Sequence, residues 1–377
     1  MSAILILLWL FDKNLKERFL QIVQNKVVIA LLLFCVFTLL SLLWSNTPTE
    51  GLTYLKRYWY LLPIPIMATY LKKEDVTKVI SAFLLGMLVS EIISYGIFFE
   101  LWTTKHGSPE DPSPFMNHLQ YTMFLAFSSL LLLNRFFFES SKRYKIIYFL
   151  FFLMTTSNLF INGGRTGQLA FIFGILVTGF LNIKNKLYAF VGITLLTSLI
   201  LLSAYASSPV FQKRVQNTFI SMQKVLDNDA QMYSSSFGQR LAAWTVGMKI
   251  VAEKPLLGTG VGAEMHALQN KIDSLNIEAF RADAIYNIKH YHNNYMTYLV
   301  QLGVLGLLLY LFIFYSIATL KIEDKEIRNL KYIFLVVFMS ASFFEQMFHA
   351  QFPLAFFALF VGIFLSSSHS KLTQKAA

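Results

Sequence analysis

Two histidines stand directly before a long apolar run, in the sequence HYHNNY over residues 290–295. An imidazole titrates near ~6.5, so it can take a proton from a hydroxyl group at neutral pH. The pair could also be a fragment of a metal site, but the sequence shows no third and fourth ligand at a recognisable spacing, and we predict no metal. The plainer alternative is an interfacial belt of His and Tyr side chains.

A second polar segment, NGGRTG over residues 162–167, separates two apolar runs. Irregular backbone at membrane depth is tolerated only where protein covers it or where it lines a wet cavity. The side chain of Arg165 and nearby backbone N–H groups could therefore face an anion. The alternative is a tight turn whose arginine extends to lipid headgroups.

A third polar position is Arg240, which has Trp244 four residues later on the same helical face. A guanidinium can donate two parallel hydrogen bonds to a phosphate, whereas a solvated arginine is the simpler interpretation. The following GTGVG, over residues 258–262, has the wrong spacing for a dinucleotide-binding turn, and no strand precedes it.

Two carboxylic acids, Glu91 and Glu345, fall inside apolar runs. An ionisable group is costly in lipid, so each is a candidate for function. Their positions do not separate a role in helix packing from a role in proton transfer.

The composition indicates what must position these groups. Of 377 residues, 55% are hydrophobic and 14% charged, and the mean hydropathy is +0.53, whereas soluble domains carry about 25% charged residues. The chain is therefore a membrane protein, and soluble enzymes, disordered chains and disulfide scaffolds are excluded. The net charge of +11 does not indicate nucleic-acid binding, because the Lys and Arg residues gather in short loops between apolar runs.

Because lipid offers no hydrogen-bond partner to a bare backbone, the apolar runs must be helices, and the fold class is all-α. Met1–Phe11 lacks a basic segment before it and a small-residue cleavage site after it, which argues against a signal peptide. Eleven candidate spans fall at 1–11, 27–44, 57–71, 76–102, 118–138, 145–162, 167–182, 187–206, 293–317, 330–347 and 351–367.

Basic residues predict the orientation of these spans. One alternating set of loops and termini holds nineteen Lys and Arg residues, and the short loops of the other set hold four. The positive-inside rule places the first set in the cytoplasm. The long segment 207–291 is then outside, and the predicted domains are 1–206 (membrane helices), 207–291 (a long outer loop) and 292–377 (membrane helices).

The outer segment is predicted to contain two helices. Ser208 and Pro209 form a favoured helix start, and apolar residues recur at helical spacing up to Asp227. A second helix is predicted from Ser236, by a capping-box pattern, to Glu253. Its apolar residues indicate packing on the membrane helices or a position in the interface.

In this order, the motifs resemble the O-antigen ligase family, integral-membrane glycosyltransferases related to O-antigen polymerases and pilin O-oligosaccharyltransferases. The resemblance is most specific at GGRTGQLAF, at QRLAAWTVGMKIVAEKPLLGTGVG and at HNNYMTYLVQLGVLG, within 162–182, 239–262 and 292–306. It implies a GT-C-like bundle of about 11–12 spans in the bacterial inner membrane, with the active site facing the periplasm.

The resemblance also implies a reaction. Such ligases transfer O-antigen polysaccharide from undecaprenyl pyrophosphate to a sugar hydroxyl of the lipid A core, with inversion and without metal, cofactor or nucleotide sugar. Carried over to this chain, Arg165 and Arg240 bind pyrophosphate, and His292 is the base that activates the hydroxyl. Further substrate-binding positions are expected at Arg57, His290, His118 and Trp244.

Three alternatives remain open at this point. A polymerase or a pilin oligosaccharyltransferase would use the same lipid-linked donor with a different acceptor. A flippase or transporter would use Glu91 and Glu345, although the two halves of the chain show no repeat symmetry and the polar motifs gather on one face.

Overall fold

The computed structural model describes residues 9, 11, 15–105, 107–227, 233, 235–275 and 283–368. Of the described residues, 81% are helical, and none lies in a strand. The predicted all-α polytopic bundle is thereby confirmed. Most of the first predicted span, 1–11, lies outside the described residues.

The α-helices are numbered in chain order. They are α1 (Leu15–Val23), α2 (Lys26–Leu40), α3 (Pro48–Lys56), α4 (Pro63–Tyr70), α5 (Lys73–Phe98), α6 (His118–Phe138), α7 (Lys142–Ile161), α8 (Arg165–Asn182), α9 (Lys186–Ser207), α10 (Pro209–Leu226), α11 (Ser236–Glu253), α12 (Glu264–Leu275), α13 (Asp283–Tyr286), α14 (Asn294–Ala318), α15 (Lys325–Phe344) and α16 (Gln351–Ser368). Short 3₁₀ segments occupy Ser41–Trp44, Arg57–Leu61 and Met347–His349.

Eight helices in the described part of the chain are long and apolar enough to cross a membrane, fewer than the eleven predicted. They are α2 with its 3₁₀ extension, α5, α6, α7, α9, α14, α15 and α16. The predicted span 57–71 is instead a 3₁₀ segment followed by the short helix α4, with Pro63 at the break. Helix α8 is formed as predicted but is not among the eight; Arg165, Gln168 and Asn182 lower its hydropathy.

The chain divides into two compact units, each assembled from separated stretches of sequence. Unit 1 contains residues 1–69, 216–319 and 342–358, and unit 2 contains residues 70–215, 320–341 and 359–377.

Both predicted helices of the long segment 207–291 are present. The Ser208 hydroxyl accepts a hydrogen bond from the Phe211 N–H at the start of α10, as expected for the cap. The cap of α11 is Ser235 rather than the predicted Ser236, because the Ser235 hydroxyl accepts from the Gly238 N–H. Helix α11 packs into the core of unit 1, where Ala243, Val246 and Ile250 are buried.

The glycine-rich turn that follows α11 is a packing element of unit 1. The N–H groups of Thr259 and Gly260 donate to the carbonyls of Val300 and Gln301 in α14, at 2.9 and 2.8 Å. Helix α14 is kinked at Gly303, whose φ is +67°. A methyl group on Gly303 would overlap the carbonyl of Leu256, so the turn and the kink fit one another only without side chains.

This packing predicts the effect of Gly303→Ala. We expect a loss of about 1–3 kcal/mol in the free energy of unfolding, because alanine would be strained at positive φ and would displace the turn. Thermal unfolding of the detergent-purified protein measures it. The matched control is Gly192→Ala in α9, where a methyl group meets open space. Equal melting temperatures for the two variants would contradict this account.

Candidate active site

The centre of the candidate site is a hydrogen bond between His292 and Glu345 in unit 1. His292 Nδ1 lies 2.7 Å from Glu345 Oε2, and the second carboxylate oxygen accepts the Gln346 N–H at 3.0 Å. Glu345 is 9% exposed and follows the last residue of α15. Burial alone would raise the pKa of its carboxyl, but the hydrogen bonds from His292 and from the Gln346 N–H, with the electrostatic influence of the two nearby histidine rings, outweigh burial and hold that pKa below its ordinary value.

This arrangement selects the tautomer of His292. A carboxylate accepts hydrogen bonds but cannot donate them, so Nδ1 carries the proton and Nε2 is left as a proton acceptor. Because the ring remains partly exposed, a hydroxyl-bearing molecule can approach it. The site can therefore act as a general base whose ring orientation is fixed by Glu345.

His290 supports the backbone of His292. The backbone of His292 has φ +50°, in the left-handed region that a non-glycine residue occupies at a cost. The His292 N–H donates to His290 Nδ1 at 3.3 Å, and the two ring centroids are 3.9 Å apart. Burial lowers the pKa of His290 to about 4, against the opposing charge of Glu345, so this ring is neutral and its Nδ1 can accept.

Helix α11 contributes two further side chains, those of Arg240 and Trp244, to the same part of unit 1. Burial lowers the pKa of the Arg240 guanidinium, while the negative charge of Glu345 acts in the opposite direction. Its Nε atom is buried with no hydrogen-bond partner among the described residues. Trp244 donates from Nε1 to the carbonyl of Tyr291 at 2.8 Å, which fixes the backbone between the two histidines.

The segment that carries Glu345 is held against the start of α14. The Gln346 side chain donates to the Thr297 hydroxyl at 2.7 Å, and the Phe348 N–H donates to Asn294 Oδ1 at 3.0 Å. The ring of Phe348 packs among buried aromatic rings, 5.3 Å from that of Tyr310. Hydrogen bonds and aromatic packing together therefore hold this irregular segment, which lies between two apolar helices.

A row of polar side chains in unit 1, of which His349 and Glu264 are buried, continues from this segment. Arg57 donates to the carbonyl of His349 at 3.1 Å, and the His349 ring stacks on Tyr54 with centroids 3.6 Å apart. The Tyr54 hydroxyl donates to the buried carboxyl of Glu264 at 2.5 Å. Burial, followed by the charge of Arg57, lowers the pKa of His349 well below its ordinary value, so its ring is neutral.

The remaining predicted site residues, Arg165 and His118, belong to unit 2. Arg165 is the first residue of α8, and Gly164 before it packs closely on Thr122 and on the His118 carbonyl at the start of α6. His118 Nδ1 lies 2.6 Å from Asp111 Oδ2. A methyl group on Gly163 would lie 3.0 Å from Nη2 of Arg214, so a second arginine reaches this turn.

The structure therefore groups Arg57, Arg240, Trp244, His290 and His292 in unit 1, and Arg165 with His118 in unit 2. Sequence reasoning marked Glu345 as a costly intramembrane acid but did not pair it with His292. It missed Asp111, Arg214 and the row through Tyr54, Glu264 and His349 altogether.

The expected absence of a metal rested on the lack of a third ligand in the sequence. Glu345 supplies one, because the ligand atoms of His290, His292 and Glu345 all lie within 4.8 Å of one another. The tertiary structure thus supplies a potential ligand that the sequence spacing did not show, and metal independence stays a prediction. We call the pair of His292 and Glu345 the dyad. The short distance from His292 Nδ1 to Glu345 Oε2 is that of a charge-assisted hydrogen bond.

A comparison with models of known protein families gave one match. A family model described as O-Antigen ligase matches residues 149–311. The matched range contains Arg165, Arg240 and His292, whereas Glu345 lies beyond it. A comparison with curated proteins gave no match.

The role of His290 as a backbone support can be tested with two substitutions. We expect His290→Ala to lower the free energy of unfolding by about 1 kcal/mol, since it removes the acceptor of the His292 N–H. We expect His290→Asn to retain most of the stability, because Asn Oδ1 can occupy the position of Nδ1. Denaturant unfolding of the purified protein compares them. Identical losses in both variants would show that this hydrogen bond does not support the turn.

Proposed function

We propose that this chain transfers O-antigen polysaccharide from undecaprenyl pyrophosphate to a sugar hydroxyl of the lipid A core, because a family model described as O-Antigen ligase matches its residues 149–311. The family supports the coarser statement directly: this is a multi-pass membrane protein of glycosyl-transferring type. The donor, the acceptor and the periplasmic position of the site belong to the proposal.

The observation that carries the proposed mechanism is the pairing of His292 with Glu345 close to the charge of Arg240. In the proposed step, the acceptor hydroxyl oxygen attacks the anomeric carbon of the donor, and its proton passes to His292 Nε2. The bond from that carbon to the diphosphate oxygen breaks, and undecaprenyl pyrophosphate leaves with the bonding electron pair. A single displacement of this kind inverts the anomeric configuration.

Glu345 has two parts in this mechanism. It holds His292 in the tautomer that can accept a proton, and its negative charge stabilises the imidazolium that forms. Because both its oxygens accept hydrogen bonds, from His292 and from the Gln346 N–H, the carboxylate cannot turn away from the ring.

The arginines supply the charge that the leaving group requires. Diphosphate accumulates negative charge as the glycosidic bond breaks, and a fixed cation in a site of low dielectric stabilises that charge more than solvent does. Arg240 is half-buried beside the dyad, and its Nε proton is not committed to another described residue. In unit 2, Arg165 at the first position of α8 is proposed to bind phosphate.

The dyad predicts the kinetics of two variants. We expect His292→Gln to reduce kcat by about 10²–10⁴-fold, the usual contribution of a general base. Glu345→Gln should reduce kcat by less, because the imidazole remains but loses its orientation and its counter-charge. Transfer rates of purified protein at saturating donor measure both variants.

Two controls are matched to these substitutions. His266→Gln changes a histidine on the exposed face of α12, and Glu253→Gln changes an exposed carboxylate in unit 1. Both should transfer at the rate of the unchanged protein. If His292→Gln, folded and present at normal level, still transfers at that rate, His292 is not the base.

The acceptor can be identified with one donor and three candidate acceptors. We expect the purified protein, given polysaccharide on undecaprenyl pyrophosphate, to modify rough lipopolysaccharide in the presence of a chelator. Product only with a second lipid-linked repeat unit would indicate a polymerase, and product only with pilin would indicate a protein transferase. Loss of transfer on chelation, restored by added metal, would contradict the metal-independent mechanism. Solute movement across liposomes without covalent transfer would indicate a transporter.

A further inference from the structure

Helix α10 shows an inverted distribution of polar and apolar side chains. Phe219, Met222 and Leu226 lie on one helical face and are 68%, 47% and 78% exposed. By contrast Ser221, on another face, is only 8% exposed. A helix that bordered water would bury its large apolar residues and expose its small polar ones.

From Arg214 onward, the buried side of α10 carries polar residues. Arg214, Thr218 and Ser221 recur at helical spacing, and all three are buried or half-buried. Arg214 reaches the turn at Gly163. Because these polar residues face inward, the apolar stripe of Phe219, Met222 and Leu226 remains exposed.

The start of α10 lies at the end of membrane-spanning helices. Its first residue, Pro209, comes two residues after the end of α9 at Ser207. The Ser208 hydroxyl donates to the carbonyl of Phe160, one residue before α7 ends, at 3.2 Å. Phe211 then packs on Phe160 with ring centroids 5.3 Å apart. The first turn of α10 is thus fixed at the rim of two spans.

The charges of α10 are of one sign. The helix contains Lys213, Arg214 and Lys224 and no acidic residue. Lys213 is exposed and lies on the side of the helix opposite the apolar stripe. An apolar face opposite a face that carries cations is typical of helices that lie in the surface of an anionic bilayer.

From these observations we propose that α10 lies in the plane of the membrane surface, with Phe219, Met222 and Leu226 immersed in lipid. The partner is the bilayer itself: its acyl chains meet the apolar stripe and its phosphate headgroups meet Lys213. Helix α10 then holds Arg214 and the turn before Arg165 at the depth of the headgroups. This inference does not depend on which acceptor the enzyme uses.

Spin labels on the full chain in liposomes test the proposal. The native thiol is removed by Cys35→Ala, and single labels are introduced by Phe219→Cys, Met222→Cys or Leu226→Cys. Lys213→Cys and Asn217→Cys are matched controls on exposed positions away from the stripe. The vesicles contain phosphatidylethanolamine and phosphatidylglycerol, and power saturation compares collisions with oxygen and with a water-soluble nickel chelate.

We expect the stripe labels to collide several-fold more with oxygen than with nickel, and the control labels to show the reverse. Equal access of nickel to both sets would overturn the proposal, because the stripe would then face water. Spin–spin broadening at 219 or 226 that disappears on dilution with unlabelled protein would overturn it in favour of a second copy. Low access to both reagents without broadening would overturn it in favour of protein packing.

A second measurement leaves the protein unmodified. Vesicles containing a phospholipid with a diazirine on its acyl chain are irradiated, and labelled peptides are mapped by mass spectrometry. Adducts on residues 219–226 are expected. If adducts form on membrane spans but not on these residues, the proposal fails.

Discussion

The candidate site depends on the hydrogen bond between His292 and Glu345. A carboxylate that is almost fully buried would ordinarily take up a proton, and its pKa falls only because His292 and a backbone N–H bind its oxygens. Without that charge, His292 would have no reason to keep its proton on Nδ1. The orientation of the base, its tautomer and the stabilisation of its protonated form all follow from this one contact.

Two interruptions of apolar helices bring the pair together. His292 lies two residues before the start of α14, and Glu345 begins the stretch after α15, so neither side chain is confined to a regular helical face. The left-handed backbone at His292 is supported by His290 and by the clamp from Trp244 to the carbonyl between them. The turn with Glu345 is tied to Asn294 and Thr297. The cost of irregular backbone is offset by these hydrogen bonds.

The glycines of the turn over residues 258–262 and at Gly303 allow close packing of the backbone. In unit 1 the turn over residues 258–262 binds the carbonyls of α14 just before its kink at Gly303. The same turn leads directly into α12, whose first residue, Glu264, accepts the hydroxyl of Tyr54. Glycine allows two stretches of backbone to approach more closely than side chains permit. Motifs that could suggest a ligand-binding loop therefore position the helices around the dyad.

The sequence alone determined the membrane class, the all-helical fold and the two helices of segment 207–291, and it predicted roles for His292 and Arg240. These follow from local physics: long apolar runs must satisfy their backbone internally, and caps and periodicity are visible in neighbouring residues. Only the tertiary structure decided that residues 57–71 form a broken element, that Glu345 is the partner of His292, and that a third potential ligand stands beside two histidines. The contact of His292 with Glu345 joins residues fifty-three positions apart, and no local pattern encodes the packing that brings such residues together.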